Sequence, residues 1–149
     1  MDTKVLKITL ISLFCFSSTY VVAADSYYYC TVLAKTSQGF KNVYMKTIQK
    51  ADGYGPKQEK AMIEAYVEYN KQAHPDYYEG YRANSDPRFV DIEIKGATQC
   101  LGGYTSADQA RKALNNDINQ RLERNKRIAA GGSMKVDPVV TDEGFKYSQ

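Results

Sequence analysis

Two cysteines carry the clearest covalent chemistry in this chain of 149 residues. Cys30 and Cys100 are far apart and form no CxxC motif, which argues against a redox pair or a zinc site. In an oxidising compartment, two cysteines in one small domain usually pair with each other. We therefore predict a Cys30–Cys100 disulfide, worth about 4 kcal/mol through restriction of the unfolded chain. An intermolecular bridge is the alternative.

The side chains suited to acid–base chemistry do not form a catalytic pattern. His74 is the single histidine and precedes Pro75, so we interpret it as a solvated cap at a helix end. It lacks an identifiable nucleophile, since the chain contains no GxSxG motif. Glu64 and Glu68 lie one helical turn apart among lysines, which is typical of a solvated helix face. We predict no catalytic residue, no metal and no cofactor.

Tyrosine is the most unusual component, with 13 residues in a chain that has no tryptophan. A tyrosine combines a large apolar ring with a polar tip, and this combination is favoured at binding surfaces. Tyr77, Tyr78 and Tyr81 lie close together beside Arg82, in a polar segment that we interpret as a loop over residues 74–88. We expect this tyrosine-rich loop to be the binding site. The alternative is that the rings cover the edge of the core.

A basic cluster near the end of the last predicted helix could meet an acidic partner. This cluster spans residues 121–127, and the cations of the whole helix are scattered around it: Arg111, Lys112, Arg121, Arg124, Lys126 and Arg127. The formal net charge of the chain is only +3, which is too close to neutral to indicate a polyanion. We predict no nucleic-acid partner, and an acidic protein remains the alternative for this helix.

The amino-terminal 24 residues have the three parts of a secretory signal peptide. Lys4 and Lys7 precede the apolar run at residues 8–16, and Val22-Ala23-Ala24 supplies small residues for cleavage after Ala24. The apolar run is too short for a membrane span, which needs about 20 residues. An uncleaved anchor or a buried first helix is the alternative. Cleavage removes Cys15 and leaves an even number of cysteines.

The remaining elements predict a single α+β domain over residues 25–132. Two strands at 27–35 and 42–49 are separated by a short segment with Gly39, which indicates a β-hairpin. Apolar residues recur at helical spacing over 57–73, and Pro75 ends that helix. Strict alternation over 89–95 indicates a third strand, and a turn over 96–104 holds Cys100.

A second helix opens at Ser106, because Ser106 and Gln109 form a capping-box pattern, and it runs to about residue 128. The order β-β-α-β-α predicts a small antiparallel three-stranded sheet packed on two helices. Residues 133–149 form a tail without a clear period, either an extended arm or loosely packed.

These observations favour a binding protein over an enzyme. We expect an exported, disulfide-tied, non-enzymatic protein of the periplasm or the extracellular space, of the inhibitor or immunity type, whose partner is another envelope or extracellular protein. No span is expected in the mature chain. A small secreted hydrolase, with a site assembled from residues distant in sequence, is the alternative.

Overall fold

The computed structural model describes residues 24–132 and 136–147, so the predicted signal peptide lies outside the described residues except for Ala24. The fold is α+β, as predicted, with strands and helices segregated along much of the chain. The strands are β1 (Asp25–Thr36), β2 (Gly39–Met45), β3 (Gln49–Asp52), β4 (Thr98–Tyr104) and β5 (Val139–Asp142). The helices are α1 (Pro56–Ala73), a 3-10 turn (Pro75–Tyr78), α2 (Glu79–Asn84), α3 (Val90–Gly96) and α4 (Ala107–Ala130).

The sheet is built around β1. The predicted hairpin is confirmed, because β1 and β2 are antiparallel and join through a tight turn in which Gly39 has a positive φ of 124°. β4 pairs with the other side of β1, and β3 pairs with the start of β1 on the β2 side, so β2 and β3 act as one interrupted strand. β5 pairs with β2 in parallel. The prediction of three antiparallel strands is therefore wrong: the sheet is mixed and has five strands.

The core lies between one face of β1 and the first helices. Every second residue of β1 is fully or almost fully buried, and this face consists of Tyr28, Cys30, Val32 and Ala34. α1 contributes Met62, Tyr66 and Val67 to the same core. The predicted helix is confirmed, with Pro56 in the first turn, where its missing N–H costs no hydrogen bond, and Pro75 just beyond the end.

The third predicted strand is wrong, since residues 90–96 form helix α3. In a strand Val90, Ile92 and Ile94 would share a face, whereas in the helix Val90 and Ile94 point inward and Ile92 points out. Ile94 is fully buried and Ile92 is 64% exposed, as the helical arrangement requires. Phe89 N–H donates to Asp86 O (2.8 Å), and Thr98 Oγ1 donates to Ile94 O (2.9 Å), so both ends of α3 are closed by hydrogen bonds.

The predicted turn at 96–104 is also wrong, because β4 occupies most of it. The strand gains its regular structure by pairing with β1, with Cys100 directly opposite Cys30. The Cys30–Cys100 disulfide is confirmed and joins two neighbouring strands of the core. Gly102 in β4 allows the ring of Tyr28 to approach, since a Cβ at this position would lie 1.9 Å from the Tyr28 ring.

The other face of the sheet is only partly covered by α4. The predicted cap by Ser106 is confirmed, because Gln109 N–H donates to Ser106 Oγ (3.2 Å), while the Gln109 side chain accepts from Thr105 N–H (3.2 Å) and not from Ser106 N–H. Only Ala110 and Leu114 of this 24-residue helix are buried. On the sheet face beneath α4, Leu33 of β1 and Leu101 of β4 remain about one third exposed. α4 therefore leaves part of this face open.

The C-terminal segment packs against the sheet as an extended arm. β5 lies at the edge beside β2, and Phe145 beyond it is 3% exposed. The Gln49 side-chain amide forms two hydrogen bonds with the backbone of this arm. Its Nε2 donates to Phe145 O (3.2 Å), and its Oε1 accepts from Tyr147 N–H (2.7 Å). The end of the chain thus contributes directly to the core.

Candidate functional site

The tyrosine-rich segment is helical and turned inward, which differs from the predicted loop. It forms the 3-10 turn and α2, and Tyr77, Tyr78 and Tyr81 are 7%, 0% and 7% exposed. The Tyr81 hydroxyl donates to Leu33 O (2.8 Å) and so fixes α2 to β1. Burial raises the pKa of both Tyr78 and Tyr81. A partner could touch only the outer edges of this segment.

The exposed part of the region lies next to these tyrosines. Arg82 is exposed in the last turn of α2, and α2 contacts α3. On and just before α3, Phe89 is 50% exposed and Ile92 is 64% exposed, three residues apart on one side. The Arg88 guanidinium lies 5.7 Å from the centre of the Phe89 ring. We call the exposed side chains of Arg82, Arg88, Phe89 and Ile92 the α3 surface.

Ion pairs hold α3 against α1 at the border of this surface. Lys71 Nζ lies 2.9 Å from Asp91 Oδ1, and Lys95 Nζ lies 3.1 Å from Glu64 Oε1. The hydrogen bond from Lys71 lowers the pKa of Asp91. The pairs are exposed and worth at most about 1 kcal/mol each, so their main consequence is to orient the helix. Glu64 is thereby a partner of Lys95 and not part of a carboxylate pair with Glu68, whose Oε1 accepts from Gln72 Nε2 (2.8 Å).

The His74 side chain lies against the C-terminal arm. Its Nε2 lies 3.5 Å from Asp142 Oδ2, and its ring stacks on Tyr77 with centroids 4.7 Å apart. The Asp142 side chain is 7% exposed, and its Oδ1 accepts from Tyr69 O–H (3.2 Å) and Gly144 N–H (2.9 Å). The carboxylate missing from the sequence pattern is therefore supplied 68 residues later by the tail. His74 is one third exposed, so the interpretation as a simple solvated cap is incomplete.

A second group of tyrosines lies between the sheet and α4. Tyr29 and Tyr104 stack with centroids 6.2 Å apart. The Tyr44 hydroxyl interacts with both Arg121 and Asp117 of α4, while burial is the main cause that raises the pKa of Tyr44. Sequence reasoning missed this cluster, because its three tyrosines come from three separate strands and meet side chains of α4. The only local signal was the alternation of β1, which places Tyr29 on the face opposite Tyr28.

Neither a metal centre nor a span is found in the part of the chain that the structure describes. Residues 24–132 and 136–147 contain no group of three or more His, Cys, Asp or Glu side chains placed to hold a metal ion. The helices described are too short or too polar to cross a membrane. Searches against protein-family models, curated proteins and solved structures found no match to this chain.

Proposed function

We propose that this protein is exported and acts as a disulfide-tied, non-enzymatic binding protein that holds another envelope or extracellular protein through the α3 surface. The observation that carries the proposal is the exposure of Phe89, just before α3, and of Ile92 on the outer side of α3. Neighbouring exposed apolar side chains are a feature of protein-binding surfaces. Aromatic residues and arginine are also enriched where proteins bind each other.

The support beneath the surface suits this role. The inner side of the region is anchored by Tyr81, which bonds to β1, and by Ile94, which is fully buried. A rigid support lowers the entropy cost of binding, because the contact residues are already in place. We thus propose that the tyrosines predicted to contact the partner instead support the α3 surface from below. Arg82 remains a contact residue at the border of the α3 surface.

Export is supported by two features of the chain. The amino-terminal 24 residues follow the pattern of a signal peptide, and the Cys30–Cys100 disulfide is of the kind that persists in oxidising compartments. A signal peptide and a stable disulfide are both expected of a protein that works in the periplasm or outside the cell.

Site-specific photo-crosslinking in the native host tests the proposal. A benzophenone amino acid replaces Ile92 in one variant and Tyr54 in the other, since Tyr54 is comparably exposed at 67% but lies outside the α3 surface. We expect one defined protein adduct from position 92 and none of that mass from position 54. Excess purified wild type should compete with the adduct, and Ile92→Asp should compete at least tenfold less well than Tyr54→Asp.

Either of two results would contradict the proposal. The first is an identical adduct pattern at both positions. The second is equal competition by Ile92→Asp and Tyr54→Asp.

A small secreted hydrolase is the second candidate, and the His74–Asp142 pair favours it. A histidine nitrogen 3.5 Å from a buried carboxylate oxygen resembles the His–Asp part of a catalytic triad. Hydrolysis of p-nitrophenyl acetate by the purified protein, lost in both His74→Gln and Asp142→Asn, would support this activity. Under the binding proposal, the wild-type protein should hydrolyse the ester no faster than either variant.

A further inference from the structure

A cleft opens on the sheet face that α4 leaves uncovered. It has a volume of about 280 Å³ and is bordered by β1, β2, β4, α4 and the segment that precedes β5. Its polar lining residues are Thr31, Asn42, Gln99, Arg121 and Asp137. This size is just below the range of about 300–1,000 Å³ that holds drug-sized molecules, so only a small ligand fits. We call it the sheet cleft.

Asn42 is the most informative group in the sheet cleft. The residue is 6% exposed, and its backbone N–H donates a hydrogen bond to Pro138 O (2.8 Å). Its side-chain amide forms no hydrogen bond with any other residue of the described part of the chain. The amide borders the open space of the cleft. An amide that faces a cleft can donate a hydrogen bond to one ligand group and accept one from another.

Two residues of opposite charge line the same cleft. Arg121 comes from α4, and its guanidinium interacts with the Tyr44 hydroxyl. Asp137 lies on the segment before β5, and its carboxylate has no cation within 4 Å among the described residues. A guanidinium has five N–H donors, so its interaction with Tyr44 leaves donors for a ligand carboxylate. The Asp137 carboxylate suits an ammonium group.

The remaining walls limit the size of the ligand. Leu33 and Ala97 provide apolar surface, and Gln99 adds a second free amide at the rim. Gly96 also borders the cleft, and a Cβ placed there would meet nothing within 4 Å. A molecule that matches these groups carries a carboxylate, an ammonium and at most a small apolar side chain.

We propose that the sheet cleft binds a small zwitterion of the α-amino-acid type, with Arg121 on the carboxylate, Asp137 on the ammonium, and Asn42 between them. The source of the ligand is a free amino acid or a dipeptide, since both carry the same pair of end charges. The site shares no residue with the α3 surface. It therefore stands or fails independently of the proposed protein partner.

Isothermal titration of the purified protein with glycine, L-alanine and glycylglycine tests the proposal. We expect saturable binding to one site for at least one of them, with a Kd below about 1 mM, which corresponds to about −4 kcal/mol. Acetate and ethylammonium each carry one of the two charges and should bind at least tenfold more weakly. Comparing alanine with the dipeptide identifies the source.

Four variants locate the binding. Arg121→Met and Gln99→Leu should weaken it at least tenfold, and Gly96→Phe should abolish it by filling the cleft without a packing clash. Arg124→Met is the matched control, because it removes the same charge from the same helix outside the cleft lining. Far-UV circular dichroism and a thermal melt verify folding, and Gln99→Leu keeps the test decisive if Arg121→Met fails to fold.

The proposal is overturned if none of the three zwitterions binds at concentrations up to about 10 mM, where a ligand of 1 mM affinity would be about nine-tenths bound. It is equally overturned if acetate binds as tightly as the best zwitterion, or if the Gly96→Phe protein binds like the wild type.

Discussion

Single tyrosine hydroxyls connect elements that are distant in sequence. Tyr28 O–H donates to Gly53 O (3.1 Å), and Tyr81 O–H donates to Leu33 O (2.8 Å). Each bond joins a buried ring to the backbone of another element, and a bond of this kind contributes about 0.5–1.5 kcal/mol net. The high tyrosine content is thus used partly for the interior, where a ring fills space and its tip satisfies a carbonyl.

The close contact between Gly102 and Tyr28 gives a prediction at this scale. In Gly102→Ala the new methyl group would overlap the Tyr28 ring at 1.9–2.0 Å, and that ring is fully buried. We expect a loss of about 2–3 kcal/mol in the free energy of unfolding, because overpacking of a core forces neighbouring groups out of position. Urea denaturation followed by circular dichroism measures it.

Gly96→Ala is the control for this experiment. Gly96 ends α3, and a Cβ there meets nothing within 4 Å, so alanine should leave stability unchanged or raise it by up to about 1 kcal/mol. Equal stabilities for the two variants would show that the Tyr28 ring moves aside without cost.

At the scale of elements, the C-terminal arm completes the sheet edge and the core. Lys46 N–H donates to Asp142 O (2.7 Å), and Asn42 N–H donates to Pro138 O (2.8 Å), so the arm continues the ladder of β2. Phe145 packs edge-on against the Tyr66 ring, with centroids 5.0 Å apart. The arm should therefore unfold together with the domain and not before it.

Phe145→Ala tests this coupling. Removal of a buried phenylalanine side chain costs about 3–5 kcal/mol in well-packed cores, and Phe145 is 3% exposed. We expect at least 2 kcal/mol of destabilisation, together with faster hydrogen exchange of residues 139–142 measured by mass spectrometry. Phe89→Ala removes the same side chain from a 50% exposed position and should change stability by less than about 0.5 kcal/mol. Unchanged exchange in the Phe145→Ala arm would contradict the coupling.

At the scale of the whole molecule, buried tyrosines make the fold sensitive to alkali. Burial raises the pKa above its ordinary value of 10.0 for eight tyrosines: Tyr28, Tyr29, Tyr44, Tyr66, Tyr69, Tyr77, Tyr78 and Tyr81. Above pH 10 the unfolded chain loses these protons more readily than the folded chain. The stabilisation is complete below that pH and is lost as the pH rises, by about 1.4 kcal/mol per pH unit for each tyrosine that stays protonated in the folded state.

We accordingly expect cooperative unfolding within roughly two pH units above 10, since a domain of this size is stable by only about 5–15 kcal/mol. Tyrosinate absorbance near 295 nm and far-UV circular dichroism should change together in one transition. Return to pH 8 after a short exposure should restore the spectrum. Full ionisation near pH 10 with the helical signal intact would refute this prediction.

The elements with strong local signals were predictable from the sequence. The hairpin follows from two β-rich runs around Gly39, and α1 and α4 follow from helical periodicity with Pro56 and Ser106 at their starts. The Cys30–Cys100 pairing follows from cysteine number and predicted compartment. In each case neighbouring residues, or the number of cysteines, are enough to predict the feature.

The tertiary structure decided the rest. Residues 90–96 alternate like a strand, but such a short run fits either period, and the burial of Ile94 with exposure of Ile92 made it a helix. β4 and β5 have weak patterns of their own and become strands by pairing with β1 and β2. The same long-range packing turned Tyr77, Tyr78 and Tyr81 inward, brought Asp142 to His74, and left Asn42 facing an open cleft, because contacts between distant residues leave no signature in local sequence.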